Sequence, residues 1–266
     1  MKPKKTFYYK DLINDDFAGT KINTSDIEED FVFVNNNLIW RILSFIIYYF
    51  IAIPLVYIFC KLVYHVKIHK PKGFKKLKGG YFLYANHTGF YDAFTTNLVN
   101  FPKRSYIIAN RDVVSIKGIR NIVMLLGAIP IPCNNRTMIK FLEAIEKRYN
   151  QKKCIVIFPE AHIWPYYNKI RPFKPTSFRY PIKLNAPCVA MCTTYRKRKG
   201  LFKNGHPYID VYVSEPFYPN LELSSKEAQL DLRNRIYKWL DECASNNENV
   251  EYYKYIAIEN KEPSSM

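Results

Sequence analysis

The feature that most constrains the fold is a run of nineteen residues, 42–60, without a single charged side chain. As an α-helix the run is about 28 Å long, close to the roughly 30 Å hydrocarbon core of a bilayer. Pro54 lies inside it and predicts a kink. Two membrane arrangements fit, a spanning helix and a re-entrant segment in one leaflet. A buried core helix is a third interpretation.

The charges on the two sides of this run are very unequal. Residues 61–80 contain seven lysines and no acid, whereas Arg41 is the only basic residue among residues 22–41, which include four acids. The excess of positive charge predicts that the chain after Cys60 lies on the cytoplasmic face of the cell membrane. Each lysine near an anionic leaflet contributes about 1 kcal/mol, so the lysines favour close contact with lipid.

The whole chain is strongly basic. Its 40 Lys and Arg residues exceed its 23 Asp and Glu residues, which leaves a net charge of +17 and predicts an anionic partner. Nucleic acid is the alternative to membrane lipid, but the lysines cluster beside the apolar run and no nucleic-acid-binding motif is found. The six cysteines are scattered without a C-x-x-C pair, which argues against a disulfide scaffold or a zinc ribbon.

The pattern after the apolar run predicts an α/β fold with a mostly parallel central sheet flanked by helices. Short apolar or β-branched runs predict strands at residues 81–85, 105–109, 128–131, 154–158, 188–193 and 209–213. Apolar spacing predicts a helix over residues 136–150, and a capping box of Ser224 and Glu227 begins a second. We divide the chain into a mobile polar tail (1–37), a membrane helix (38–61), a catalytic domain (62–242) and a loosely attached C-terminal tail (243–266).

Ionisable residues directly follow the first predicted strand. Asn86 and His87 come at its end, and Asp92 lies five positions beyond His87. Reactive groups of parallel sheets gather at the C-terminal ends of strands. An aspartate at this distance can accept from one imidazole nitrogen and leave the other as a base. A surface histidine without a catalytic role is the competing interpretation of the spacing.

The strand at residues 154–158 ends in the same way, with Pro159, Glu160 and His162 following it. Two strand ends that both carry ionisable residues favour a functional site at this edge of the sheet. A metal site formed by His87, Asp92, Glu160 and His162 is possible by residue type, although no compact ligand spacing supports it.

Four blocks in order resemble the lysophosphatidic acid acyltransferase family, the membrane-bound glycerolipid acyltransferases. The blocks are Asn86-His87 with Asp92, the strand beginning at Gly127, Phe158-Pro159-Glu160, and the Pro-containing strand at residues 186–190. The resemblance covers about residues 66–213, and the preceding membrane helix also agrees with it.

The resemblance implies transfer of an acyl group from acyl-CoA or acyl-carrier protein to a glycerolipid hydroxyl. His87 is then the general base, Asp92 orients it, and Glu160 lies in the acceptor site with Asn86 and Pro159 beside it. No cofactor and no metal are implied, and the cysteines need no catalytic role.

The match is weakest where the family binds the acceptor phosphate. The family usually continues Phe-Pro-Glu-Gly-Thr-Arg, but here Ala161, His162 and Ile163 follow Glu160, and Cys133 stands near the place of a second arginine. Gly89 also replaces a serine of the first block. The cations that we expect to substitute for the missing arginines are Arg136, Arg171 and Lys174, with Lys169 nearby. Residues 196–199 form a basic stretch that we assign to lipid headgroups. The aromatic side chains at 164, 166 and 167 fit an acyl-chain tunnel, a membrane-interface belt or the core.

Three hypotheses follow. The first is acylation of 1-acyl-glycerol-3-phosphate to phosphatidic acid. The second is acylation of another lyso-lipid, which the missing arginine favours. The third is a non-catalytic protein that binds anionic membranes, which leaves His87 and Asp92 without a role.

Overall fold

The computed structural model describes residues 3–19, 27–115, 118–199, 205–246 and 248–258. The strands formed by these residues are β1 (Lys5–Tyr9), β2 (Lys67–His69), β3 (Tyr81–Ala85), β4 (Ser105–Ala109), β5 (Ala128–Pro130), β6 (Cys154–Ile157), β7 (Cys188–Arg196), β8 (Tyr208–Val213) and β9 (Tyr253–Ala257). The helices are α1 (Leu38–Ile46), α2 (Ile53–Leu62), α3 (Lys72–Lys75), α4 (Asp92–Asn100), α5 (Asp112–Ser115), α6 (Arg120–Leu126), α7 (Asn135–Asn150), α8 (Arg179–Leu184) and α9 (Ser225–Ala244). A 3-10 turn, Pro175–Phe178, precedes α8.

Seven strands form one sheet in the order β2-β8-β7-β3-β6-β4-β5. All neighbours are parallel except β7 and β8. β3 lies near the centre, where Tyr84 is in register with Ile157 of β6 and Ala190 of β7. The predicted class, an α/β fold with a mostly parallel sheet, is confirmed. The predicted strands and the helix near residues 136–150 are present with shifts of one to three residues at their ends.

The sheet is buried on both faces because its central strands are apolar at every position. Phe82 and Tyr84 point to one face, where they join the core beneath α7 and α9. Leu83 and Ala85 point to the other face, together with Val99 of α4. The capping box of Ser224 and Glu227 is formed at the start of α9, as its spacing predicts.

The apolar run forms one continuous helical segment, Leu38–Leu62, which we call the anchor helix. It consists of α1, a π-helical stretch Ile47–Ala52, and α2. Pro54 lies directly after the π-helical stretch, as the second residue of α2. Only 11% of its most apolar 18-residue stretch is buried inside the protein. A buried core helix, the third interpretation of the run, is therefore wrong.

Both ends of the chain are more ordered than the sequence indicates. β1 pairs in parallel with β9, with Thr6 opposite Lys254. Phe31 and Phe33 are buried against the core. The predictions of a mobile tail at residues 1–37 and of a loosely attached tail after residue 243 are therefore wrong for the described residues. Aromatic side chains fix both segments to the domain. The domain boundaries themselves stay predictions, and residues 1–2, 20–26 and 259–266 lie outside the described residues.

Candidate active site

His87 and Asp92 meet at the C-terminal end of the central strand. His87 follows β3, and Asp92 is the first residue of α4. The distance from His87 Nδ1 to Asp92 Oδ2 is 3.1 Å. The Asp92 side chain is fully buried, whereas the His87 side chain is 16% exposed. The pair therefore combines a hidden carboxylate with an imidazole that solvent and substrate can reach.

Backbone donors surround the Asp92 carboxylate. Its Oδ2 atom accepts the N–H groups of Thr88 at 2.6 Å and Gly89 at 2.9 Å. These donors fix the orientation of the carboxylate at the N-terminus of α4. Gly89 is needed for this turn, because a Cβ there would meet the ring of Tyr91 at 2.4 Å. A serine at this position would meet the same ring.

The imidazole is fixed from several directions. Its ring stacks on Phe158 with centroids 4.2 Å apart and an interplanar angle of 17°. The backbone N–H of His87 donates to Glu160 Oε2 at 3.2 Å, and the backbone carbonyl of His87 accepts from the backbone N–H of Trp164 at 3.2 Å. With Nδ1 engaged by Asp92, Nε2 is the ring nitrogen without a partner among the described residues. This atom is the one positioned for a substrate proton.

Glu160 and Arg171 form a buried ion pair behind His87. Arg171 Nη2 lies 3.3 Å from Glu160 Oε2, and the backbone N–H of Arg171 donates to Glu160 Oε1 at 3.0 Å. Burial raises the pKa of the Glu160 carboxyl, and the guanidinium opposes that rise. Burial likewise lowers the pKa of Arg171, with Glu160 opposing the shift. The pair fixes the backbone of His87 rather than facing an acceptor.

The side chain of Arg171 is consequently not accessible to the phosphate of an acceptor. Its side chain is 0% exposed. The guanidinium lies over the Trp164 ring at 4.9 Å and donates to the carbonyls of His162 and Leu12. The expectation that Arg171 replaces the missing arginine is corrected, because the guanidinium is already enclosed by protein acceptors.

This chain resembles known proteins in both sequence and fold. Residues 65–194 match the family model described as Acyltransferase. These residues, just under half of the chain, form an acyltransferase domain. Its fold is similar to the crystal structure of PlsC from Thermotoga maritima, a 1-acyl-sn-glycerophosphate (LPA) acyltransferase, with a TM-score of 0.50. The two share 15% sequence identity over 79% of this chain and 97% of that one. No curated protein matches the sequence. The family resemblance seen in the four blocks is thus confirmed.

The remaining predicted site residues of this acyltransferase lie in different surroundings. Asn86 is buried and links the end of β3 to β7, donating to the Thr193 carbonyl at 3.0 Å and accepting from the Thr193 backbone N–H at 2.8 Å. Pro159 is half-buried between Phe158 and Glu160. Arg136 is exposed at the start of α7 and pairs with Glu29 at 3.0 Å. Asn86 therefore supports the site, whereas Arg136 is bound to the N-terminal segment.

Lys174 is exposed just before the 3-10 turn. Among the described residues, no group of three or more His, Cys, Asp or Glu side chains is arranged to hold a metal ion. His162 contacts Asp16 instead, at 3.7 Å. Of the four residues considered for a metal site, His87 and Asp92 thus contact each other, Glu160 pairs with Arg171, and His162 lies in a separate contact with Asp16.

Two contacts of His87 are missed by sequence reasoning. Phe158 is quoted in the family block but not assigned to the imidazole, and Trp164 is considered only for an acyl tunnel, an aromatic belt or the core. Trp164 also donates its indole N–H to the Asp15 carbonyl at 2.7 Å. The one available signal was the position of both residues, immediately around Glu160 at a strand end.

Proposed function

We propose that this acyltransferase transfers a fatty acyl group from a thioester to the free hydroxyl of 1-acyl-glycerol-3-phosphate, giving phosphatidic acid. The thioester is acyl-CoA or an acyl-carrier protein and acts as a co-substrate; no cofactor is part of the proposal. The observation that carries it is the 3.1 Å pair of His87 and Asp92 at the open edge of an acyltransferase domain.

In the proposed reaction, His87 Nε2 takes the proton of the acceptor hydroxyl while its oxygen attacks the thioester carbonyl carbon. The carbon–sulfur bond then breaks, the ester forms, and the thiolate takes the proton from the imidazolium. Asp92 keeps the proton on Nδ1 and stabilises the imidazolium. Base catalysis of this kind contributes about 10²–10⁴-fold. The acceptor hydroxyl here takes the place that serine has in a triad.

The fixed surroundings of the imidazole support this role. Stacking on Phe158 and the two main-chain contacts of His87 restrict the ring, and preorganised groups react without first having to be oriented. The buried Asp92 carboxylate keeps its orientation through two backbone N–H groups. The contacts of Asp92 are thus suited to hold one tautomer of His87.

Two observations favour a second class of acceptor. Arg171 is buried, and Ile163 stands where the family usually has arginine. Both facts reduce the positive charge available beside Glu160 and favour a lyso-lipid without a phosphate monoester. Exposed Lys174 remains available to a phosphate acceptor.

The experiment is acyl transfer by the purified protein in detergent micelles and in vesicles. Acyl-CoA and acyl-carrier protein are offered as donors, and lysophosphatidic acid, lysophosphatidylglycerol and monoacylglycerol as acceptors. Product from lysophosphatidic acid supports the first proposal, and product from another acceptor alone supports the second. No product from any combination favours the non-catalytic, membrane-binding alternative.

The matched variants are His87→Ala and His69→Ala. His69 also contacts an aspartate, Asp210, at 3.6 Å, but it lies on β2. We expect His87→Ala to lose turnover by at least about 10²-fold and His69→Ala to retain it. Equal activity of the two variants contradicts the assignment of the base.

We further propose that the protein is bound to the cell membrane with its domain on the cytoplasmic side. The exposed anchor helix supports membrane association. The lysines that follow it support the side, since positive residues are retained in the cytoplasm.

A further inference from the structure

Four cations lie together where the start of the anchor helix meets the domain, and we call them the basic cluster. They are Arg41 of α1, Arg104 before β4, Arg148 near the end of α7 and Lys153 before β6. Among the described residues, none of the four forms an ion pair with a carboxylate. Like charges held close together repel one another, and a surface with such charges attracts anions.

Two guanidinium groups of the basic cluster contact one aromatic ring. The Arg148 Cζ atom lies 4.3 Å from the centroid of the Tyr106 ring, and the Arg104 Cζ atom lies 5.1 Å from it. The Arg104 guanidinium also lies over Tyr48 of the anchor helix, at 4.6 Å. Cation–π contacts offset part of the repulsion but supply no negative charge. The two arginines are therefore held as neighbours without a counterion among the described residues.

Arg104 is buried at the base of the cluster. Its side chain is fixed by neutral partners, since Nη2 donates to Ser44 Oγ at 2.8 Å and to the Leu125 carbonyl. Its buried Nε atom has no hydrogen-bond partner within the described part of the chain. A buried cation is costly unless a negative charge lies near it. The position of Arg104 therefore favours an anion in contact with the cluster.

The other three members of the basic cluster are open to a ligand. Arg41 is exposed, and Arg148 and Lys153 are half-buried. Burial lowers the pKa of Arg148; Tyr106 opposes this shift, whereas repulsion by Arg104 and Arg41 adds to it. Burial also lowers the pKa of Lys153, and repulsion by Arg104 and Arg148 adds to that shift. A bound anion would relieve this repulsion.

The basic cluster lies at the edge of the sheet opposite to His87. Arg104 and Lys153 directly precede the parallel strands β4 and β6, and the Cys154 N–H donates to the Arg104 carbonyl at 3.1 Å. His87 instead follows the C-terminal end of β3, a strand that is parallel to β6. A strand of this length extends about 13 Å. The cluster is therefore separate from the candidate active site.

We propose that the basic cluster binds a phosphate group. A phosphate monoester carries a charge of about −1.5 to −2 at pH 7, which suits several cations better than a carboxylate does. Arginine binds phosphate oxygens in a bidentate manner, and lysine adds a point charge. A lipid headgroup and a soluble phosphate both supply this chemistry. The exposed side chains of Ile42 and Phe45 on α1 favour the lipid.

Binding of soluble phosphate is measured with the purified protein in detergent, without an acyl donor. Inorganic phosphate is titrated at constant ionic strength, and variants are compared by the concentration that raises Tm by a fixed increment. Arg148→Gln/Lys153→Gln removes two members of the cluster. Lys147→Gln/Lys152→Gln removes the same charge from exposed neighbouring positions and is the matched control. If the source is soluble, we expect that concentration to increase at least about tenfold in the first variant and to stay unchanged in the control.

Binding of a lipid headgroup is measured by flotation with phosphatidylcholine vesicles that contain phosphatidic acid. If the source is lipid, we expect the cluster variant to bind at least about tenfold more weakly than the control. A difference in this assay alone assigns the site to a lipid headgroup, and a difference with inorganic phosphate assigns it to a soluble phosphate. Equal binding by the two variants in both assays refutes the proposal. Neither assay involves acyl transfer, so the result is independent of the proposed function.

A milder variant keeps the test valid if Arg148→Gln/Lys153→Gln does not fold. Arg41→Gln changes an exposed member of the cluster, and Lys226→Gln changes an exposed lysine of α9. We expect Arg41→Gln to weaken phosphate binding by about threefold and Lys226→Gln to leave it unchanged. Equal binding by these two variants in both assays likewise refutes the proposal.

Discussion

Replacing Arg171 by methionine should destabilise the protein strongly without a specific loss of acceptor binding. The guanidinium is fully buried, 3.3 Å from Glu160 Oε2. Without it the Glu160 carboxylate is left buried and unpaired, which costs about 3–5 kcal/mol. For a protein of this size the corresponding decrease in Tm is roughly 6–20 °C. Thermal unfolding in detergent, followed by circular dichroism, measures it.

The double variant Glu160→Gln/Arg171→Met isolates the contribution of the pair. It removes both charges, so we expect it to recover part of the stability that Arg171→Met loses, with a coupling of about 0.5–3 kcal/mol. Lys169→Met serves as the control because Lys169 is an exposed cation two residues away. Its Tm should change little, since surface substitutions stay within about 0.5 kcal/mol.

The stability of Arg171→Met should also depend on pH with a definite sign. Burial raises the pKa of the Glu160 carboxyl, and Arg171 is the main group that opposes the rise. In the variant the folded state therefore binds a proton at a pH where the unfolded chain is still ionised. Stability then increases as the pH falls through the raised pKa. The difference in Tm between wild type and Arg171→Met should therefore become smaller as the pH is lowered from 8 to 5.

A phosphate-binding role for Arg171 predicts the opposite behaviour. Arg171→Met would then keep its Tm within a few degrees and raise KM for lysophosphatidic acid by tenfold or more. That combination refutes the reasoning from burial and restores the family-based expectation.

Three further outcomes follow from the site and its surroundings. Asp92→Asn should lower kcat by about 10²–10⁴-fold with folding retained, as measured by acyl transfer and circular dichroism. Gly89→Ala should cost about 1–3 kcal/mol in unfolding free energy, because its Cβ meets the Tyr91 ring at 2.4 Å, and the same substitution should cost less when it is introduced into the Tyr91→Ala variant. Replacing the lysines within residues 72–78 by glutamine should weaken binding to anionic vesicles by about 1 kcal/mol per lysine, with the difference disappearing at high salt.

Most of the sheet is predictable from the sequence because its strands are short and continuously apolar. Residues 81–85 and 154–157 are such runs, and both are buried on two faces. β2 escapes prediction since it lies in the lysine-rich stretch and has only three residues. Its strand conformation depends on pairing with β8, a contact distant in sequence. β1 and β9 escape for the same reason, as each requires the other chain end.

The candidate site is predictable where a motif places both partners locally. His87 and Asp92 lie five positions apart, so one turn brings them together. Which cations are buried and which are exposed is not predictable in this way. Arg171 carries the same charge as Lys174, yet one is enclosed by Glu160 and Trp164 and the other is exposed. Only the three-dimensional path of residues 160–171 distinguishes them.

The departures from the family pattern and the packed N-terminal segment form one structural change. Ala161 has a φ of +63°, a conformation that favours glycine, and it stands where the family usually has glycine. The two residues after it both contact the N-terminal segment: His162 contacts Asp16, and the Ile163 carbonyl accepts the Phe17 N–H at 3.2 Å. Positions where the family usually has threonine and arginine thus bind this chain's own N-terminus. The same segment holds Trp164, which in turn holds His87. This loop and the N-terminal segment thus together hold the backbone of His87 in place.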